Sequence, residues 1–262
     1  MQVLSPRVDL TGFITRIAQA PARVLMLDYD GTLAPFNVDP ERAVPTPEVA
    51  AVLEEIVQAG GTRVVVISGR PAAELPPLLK LSERPEIWGS HGWERLLPDG
   101  RRIVEEPGAE TRESLACAAS EIRAILPAGA RVEHKLASVA LHWRGVSAAA
   151  ARALQNEAST RFQTFARTGA LEMLPFDCGL ELRAVGCNKQ YAVKAVLSET
   201  DDVSAVAYLG DDITDEDAFR AVKQRGLGVL VRPEFRETEA DVWLKPPHEL
   251  VAFLKSWRVK RR

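Results

Sequence analysis

Cysteine is scarce and poorly spaced for a structural role: Cys117, Cys178 and Cys187 are an odd set of three with no CxxC pair. That excludes a disulfide framework and a thiolate zinc site, and leaves buried, reduced thiols as the expectation. Long apolar runs are missing as well. No uninterrupted stretch approaches the roughly 18 residues of a membrane span. The opening MQVLSPRVDLTGF lacks the basic-then-apolar order of a signal peptide, so the cytoplasm is the simplest compartment. A dominant charge is also missing: 33 Lys and Arg face 36 Asp and Glu, a net of −3. Such a balance offers no field to a polyanion and argues against nucleic acid as a partner. The one basic run, Arg258, Lys260, Arg261 and Arg262, reads as a solvated terminus.

What is present is a globular composition, 46% hydrophobic and 26% charged over 262 residues, enough for two domains or for one core carrying a large insertion. The oligomeric state is not fixed by these features, and a monomer is compatible with them. Short β-branched runs alternate with helical stretches, the pattern of parallel strands joined by crossover helices, so the predicted class is α/β with a doubly wound parallel sheet. The runs are Val24–Leu27, Val64–Ile67, Val203–Leu209, Leu227–Val231 and Asp241–Leu244. The first three end in DYDGT, SGR and GDD. In such sheets ligands gather beyond the carboxyl ends of the strands, which makes those three clusters candidates for one site.

Between them the texture changes. Gly108–Leu126 and Val146–Phe165 read as amphipathic helices, and Ala130–Arg144 alternates like a hairpin strand. Residues 107–183 carry nine Lys or Arg against eight Asp or Glu, whereas the flanks carry 24 against 28. A neutral insertion in an acidic α/β core suggests a cap over the crevice, with residues 1–107 and 184–262 as the core and 108–183 as an α+β cap.

The chemistry begins at Asp28-Tyr-Asp30-Gly31-Thr32, where an apolar strand delivers two acids, two positions apart, into a glycine turn. Two carboxylates in a confined place repel unless a cation or a proton neutralises them, and a hard oxygen-seeking ion such as Mg2+ is the natural partner. A second acidic cluster, Gly210-Asp211-Asp212-Ile-Thr-Asp215-Glu216, follows a later strand. If the two strand ends meet, Asp28 and Asp211 can share an ion. Ser68-Gly69-Arg70 offers a hydroxyl and backbone N–H groups to a phosphate, with Pro71 suited to the first turn of a helix. Lys189 stands at an apparent helix start, against the dipole, so an anion nearby would account for it.

DxDGT, then Ser, then Lys, then GDDxxxD, in this order, resembles the haloacid dehalogenase superfamily of aspartyl-phosphate phosphatases. More narrowly, Asp28–Leu33, Ser68–Arg70, Gly89-Ser-His91-Gly92-Trp93-Glu94, Val132–Arg144 and Gly210–Glu216 are similar to the trehalose-6-phosphate phosphatase family, over about residues 23–245. The resemblance implies Mg2+-dependent hydrolysis of trehalose 6-phosphate to trehalose and phosphate. It makes Asp28 the nucleophile and Asp30 the acid and base. Ser68 and Lys189 hold the phosphoryl group. The metal is held by Asp28, Asp211 and the Asp30 carbonyl, with Asp212 and Asp215 around it and Asp212 a candidate partner for Lys189. Arg70, His91, Gly92, Glu94, Glu133, Lys135 and Glu181 fall to the sugar phosphate, while His142 and Arg144 support the cap sheet. The chain departs from the family at Arg183-Ala184 and Asn188-Lys189-Gln190, where relatives typically read Arg-Pro and Asn-Lys-Gly. Another capped sugar phosphatase, a receiver-type phosphorylated module and a silent sugar-phosphate binder remain alternatives. Asp30 speaks against the receiver, which lacks an acid at that place.

Overall fold

The computed structural model describes residues 1–186 and 188–260. Cys187, Arg261 and Arg262, on which the thiol and basic-tail expectations partly rest, lie outside the described residues. The elements begin β1 (Gln2–Val3), α1 (Leu10–Gln19), β2 (Arg23–Leu27), α2 (Pro47–Ala59), β3 (Arg63–Ile67), α3 (Leu75–Leu79), β4 (Glu86–Gly89), β5 (Glu94–Leu96) and β6 (Arg102–Val104). They continue through α4 (Ala109–Arg123), β7 (Arg131–His134), β8 (Ser138–His142), α5 (Ala148–Ala166), β9 (Leu171–Phe176) and β10 (Gly179–Ala184). The chain closes with α6 (Lys189–Ser198), β11 (Ala205–Gly210), α7 (Glu216–Val222), β12 (Leu227–Val231), β13 (Val242–Leu244) and α8 (His248–Lys255). Two compact units result: Met1–Ile103 with Asn188–Arg262, and Val104–Cys187. The inserted unit is four residues wider at each end than the texture of the sequence suggests.

The larger unit is built on one sheet ordered β1-β13-β12-β11-β2-β3-β4-β5-β6. From β13 to β4 neighbours are parallel, while β1 and β5 join antiparallel. This is the predicted doubly wound α/β core, with β4 a parallel strand that the sequence reading did not name and β1, β5 and β6 added at the margins. Every residue of β2 is buried, as a central strand covered on both faces requires. Its alternation divides it: Leu25 and Leu27 join one core layer with Ile17, Leu53 and Phe253, and Val24 and Met26 join the other with Val193, Tyr208 and Phe219. Each such side chain contributes roughly 1.5–3 kcal/mol by leaving water. The helix α2 shows the local code at both ends, with Thr46 accepting from the Val49 N–H, Pro47 in the first turn and Gly60 left-handed at φ 67°.

Two local expectations need correction. Pro71 does not open an α-helix: it precedes a single 3-10 turn, Ala72–Glu74, and α3 behind it has only five residues. Pro76 and Pro77 lie in its first turn, where missing N–H groups are tolerated, and the helix ends at left-handed Lys80. The thiols that are described are not buried either. Cys117 is exposed because Leu115, Ala118, Ala119 and Ile122 take the inner face of α4, and Cys178 is half-buried in the β9–β10 turn at φ 58°.

The smaller unit is a four-stranded antiparallel sheet, β7-β8-β10-β9, with α4 and α5 packed on it. The sequence reading anticipated both helices and a hairpin strand over 130–144, which the structure divides into the two strands β7 and β8. The second hairpin is additional, its alternation masked by Pro175 and by Glu181 and Arg183 among leucines. Among the described residues no helix is long and apolar enough to cross a membrane.

Candidate active site

The strands β2 and β11 are parallel neighbours with Leu27 opposite Leu209, so their carboxyl ends stop side by side. The chain runs from β2 to β3 on one side and reaches β11 on the other, which makes this the switch point of the sheet. Asp28 donates its backbone N–H to the Leu209 carbonyl at 2.8 Å, and Asp211 follows two residues after Leu209. Asp28, Asp211 and Asp215 are buried, and a carboxylate oxygen from each lies within 4.8 Å of the others. Lys189, the first residue of α6, is buried too and reaches Asp28 Oδ1 at 2.6 Å and Asp215 Oδ1 at 2.7 Å.

Asp215 is fully engaged. Its Oδ1 accepts from Lys189 and from the Tyr208 hydroxyl, and its Oδ2 accepts from the backbone N–H of Asp211 at 3.0 Å and of Asp212 at 2.9 Å. Four donors fill the roughly four lone-pair positions of a carboxylate. Asp215 is therefore the bracket that folds the GDD loop onto Lys189. Asp212, the residue the sequence reading offered to Lys189, caps the following turn by accepting from the Ile213 N–H at 2.8 Å. Tyr208 went unread in the sequence, although a phenol three positions before an acidic turn, inside an aliphatic strand, is a usable signal. So did Thr32, whose hydroxyl reaches Asp28 Oδ2 at 3.3 Å.

Burial, with the charge of Asp215 and Asp30 added, outweighs Lys189 and pushes the Asp28 carboxyl up to about 7. Burial and the neighbouring Asp28 and Asp215 likewise push Asp211 well above the carboxylate range. Burial works against the Lys189 ammonium, but the two carboxylates on it prevail and keep it charged. Three acids and one lysine leave a deficit of positive charge. The residues fit a divalent ion on an independent count as well: Asp211 Oδ1 is buried and has no hydrogen-bond partner. Room for that carboxylate depends on Gly31, at φ 87°, where an added Cβ would lie 2.1 Å from Asp211 Oδ2.

Ser68 directly follows β3 and is almost wholly buried, with its Oγ accepting from the Arg70 N–H at 3.1 Å. The next loop locks onto it: His91 donates its N–H to the Ser68 carbonyl at 3.0 Å, and Ser90 donates to that of Arg70 at 2.7 Å. Ser90 and His91 both hold left-handed backbone, φ 49° and 58°, a strained pair sustained by these bonds. The His91 ring rests on Gly69, where a Cβ would meet it at 2.6 Å. Gly92, at φ 111°, lies close to the Asn188 carbonyl at the start of α6. Glu94, the first residue of β5, accepts from the Ser90 hydroxyl and from Arg102 of β6 at 2.6 Å, so its carboxylate is occupied by the preceding turn and the neighbouring strand. Arg70 gives its guanidinium to Asp30, with two bonds of 2.7 Å.

In the smaller unit Glu133 and Glu181 both stand opposite Ala140, one on each side, and so share a face of the sheet. The Lys135 ammonium sits between them, 3.9 Å from Glu133 and 3.8 Å from Glu181. Glu181 also accepts from Ser138 Oγ at 2.7 Å, and Glu133 pairs with the His142 ring at 3.3 Å. Burial would raise the Glu133 carboxyl, but the His142 hydrogen bond and the Lys135 charge outweigh it and hold it at about 2. Arg144, expected to support this sheet, pairs with Asp177 at 2.8 Å. At the departure from family pattern, the Ala184 N–H donates to the Ala137 carbonyl at 2.8 Å, a bond that proline in its place has no hydrogen to make. Gln190 lies inside α6, whose Asn188 cap accepts from the Tyr191 N–H at 2.9 Å.

Comparison with known proteins bears on the family and the fold. The family pattern described as trehalose-phosphatase matches residues 26–242. A trehalose-phosphate phosphatase of Mycobacterium marinum is 34% identical over 221 residues, 81% of this chain and 54% of that protein. The chain thus spans about half the length of the curated relatives it matches. Among solved structures, the C-terminal domain of Candida albicans trehalose-6-phosphate phosphatase aligns with a TM-score of 0.83 at 19% identity, over 98% of this chain and 99% of that one. A trehalose-6-phosphate phosphatase of Aspergillus fumigatus aligns at 0.65 and 25% identity, over 97% of this chain and 98% of that one.

Proposed function

The chain belongs to the trehalose-phosphatase family, and on that premise we propose that it hydrolyses trehalose 6-phosphate to trehalose and inorganic phosphate through a phosphorylated Asp28. The observation that carries the reading is the buried meeting of Asp28 with Asp211, Asp215 and Lys189, acids and a base drawn from opposite parts of the chain.

A carboxylate oxygen of Asp28 attacks phosphorus in line, forming an O–P bond as the bond from phosphorus to the sugar oxygen breaks. Asp30 protonates that departing oxygen and later takes a proton from the water that attacks the phosphoenzyme, a role worth about 10²- to 10⁴-fold. The water's O–P bond replaces the one to Asp28, which returns as carboxylate. Ser68 Oγ and the Lys189 ammonium hold phosphoryl oxygens, and Asp215 aims that ammonium. Asp28 and Asp211 would hold Mg2+, which when bound neutralises the clustered carboxylates and the anionic phosphate. Sugar hydroxyls fall to Glu133, Lys135 and Glu181 of the smaller unit, because two acceptors flanking one cation can grip neighbouring hydroxyls.

Phosphate release from a panel of sugar phosphates, with Mg2+ and again with chelator, tests this. Fast release from trehalose 6-phosphate, lost with chelator, is expected, and Asp28→Asn should abolish it. Slow turnover of trehalose 6-phosphate beside fast turnover of another sugar phosphate would move the assignment to that substrate. A long-lived phosphoenzyme in the unaltered chain would favour the receiver.

A further inference from the structure

Asp30 does its work from a loop, one residue before a glycine, and nothing in its own backbone fixes the plane of its carboxylate. Arg70 does. Its Nε donates to Asp30 Oδ2 and a terminal nitrogen donates to Oδ1, both at 2.7 Å. Two parallel bonds from a rigid fork fix position and rotation together, which a single contact cannot. The fork is itself held. The other terminal nitrogen donates to the Pro40 carbonyl at 3.0 Å, and the guanidinium lies 5.5 Å from the centre of the Tyr29 ring. Tyr29 is anchored in turn by its hydroxyl on the Ala43 carbonyl at 2.7 Å. The Arg70 backbone is pinned on both sides, by Ser68 Oγ and by the Ser90 N–H. Only 13% of the Arg70 side chain is exposed, against 29% for Asp30, so the arginine is the fixed member of the pair.

We propose that Arg70 is the positioning residue of the acid and base, holding the Asp30 carboxylate in the one orientation from which it reaches the departing oxygen. The role rests on the reaction proposed above. A carboxylate has about four lone-pair positions and the fork uses two, so Asp30 keeps capacity for the proton it moves. This differs from a place in sugar binding, because three of the guanidinium's five N–H donors, including the Nε edge of the fork, are already given to Asp30 and Pro40.

The test is a series of simple substituted aryl phosphates, which carry no sugar, with kcat/KM plotted against leaving-group acidity. It compares wild type, Arg70→Gln, Arg70→Lys, Asp30→Asn and the Arg70→Gln/Asp30→Asn double variant. Proton donation matters most where the leaving oxygen is most basic. Arg70→Gln should therefore steepen the dependence toward that of Asp30→Asn, losing about 10²-fold at the basic end and much less at the acidic end. Arg70→Lys restores the charge but not the fork and should stay steep, and the double variant should be no steeper than Asp30→Asn alone. An unchanged slope with poorer KM for trehalose 6-phosphate would overturn the proposal in favour of sugar binding. Equal loss across the series, in either Arg70 variant, would overturn it in favour of a purely structural role. A wild type inactive on every ester sinks the reaction itself, whereas an active wild type with an unmoved Arg70→Gln slope sinks the positioning role alone.

Discussion

Lys189 and Asp215 are bonded at 2.7 Å in the interior, 26 residues apart in sequence, and Asp215 spends its remaining capacity on Tyr208 and on the backbone of Asp211 and Asp212. One carboxylate thereby sets both the lysine and the loop that carries Asp211. Asp215→Asn replaces an acceptor by a group that is half donor, and faces its nitrogen to donors. Breaking a buried pair of this kind costs about 3–5 kcal/mol. Urea denaturation should show a loss of that order together with a fall in phosphate release. A variant as stable as the parent would mean that the bracket carries little.

Metal and pH should act together on stability. The folded Asp28 value, about 7, lies above the ordinary 3.8, so between those values the folded chain keeps a proton that the unfolded chain has released. The associated stability is complete below about pH 4 and is lost as pH rises through 7. Asp211 shifts in the same direction. In chelator, the melting temperature should fall from pH 5 to pH 8 by the equivalent of a few kcal/mol. Mg2+ should restore most of the loss at pH 8 and little of it at pH 5. An ion with no effect on melting at pH 8 would contradict a site at Asp28 and Asp211.

Glu133→Ala strips one acceptor from the Glu133–Lys135–Glu181 group and its partner from the His142 ring. If that group reads sugar hydroxyls, KM for trehalose 6-phosphate should rise about tenfold or more, roughly the worth of one charge-assisted hydrogen bond. KM for p-nitrophenyl phosphate should move far less. Parallel damage to both substrates would assign Glu133 to holding the sheet together.

Ala184→Pro would restore the typical residue of the family and remove the N–H now given to Ala137. The lost bond, with a carbonyl left unpaired beside it, should destabilise by about 1–3 kcal/mol. Thermal melting decides it, and an equal or higher melting temperature would show that the strand end adapts.

Much of the core was legible in the chain. Each predicted parallel run lies within a few residues of an observed strand, because strands buried on both faces must be continuous apolar runs, and the polar clusters at their ends mark the switch point. The strands β1, β5 and β6 were not legible: they are two or three residues long, partly exposed, and need no pattern. The parallel strand β4 was missed too, because its four residues, Glu86-Ile-Trp-Gly89, are too short a run and open on a charge. The α3 region was misread for a related reason. Its short-range cues pointed to a helix, and two successive prolines with a left-handed Lys80 held it to little more than one turn.

The sequence by itself determined the cast: two acids two residues apart, a hydroxyl and an acidic loop, each at the end of an apolar run, and a lysine at a helix start. It also determined the α/β class, since hydrophobic period and turn chemistry are local properties. Only the tertiary structure decided the pairings. Asp215 rather than Asp212 holds Lys189, and Arg70 is turned to Asp30, because those choices depend on which loops the parallel register of β2, β3 and β11 brings together. Spacing along a chain carries no information about which of two nearby acids a turn will point inward. The capped 3-10 turn after Asp211 does that, sending Asp215 into the core and leaving Asp212 at its surface.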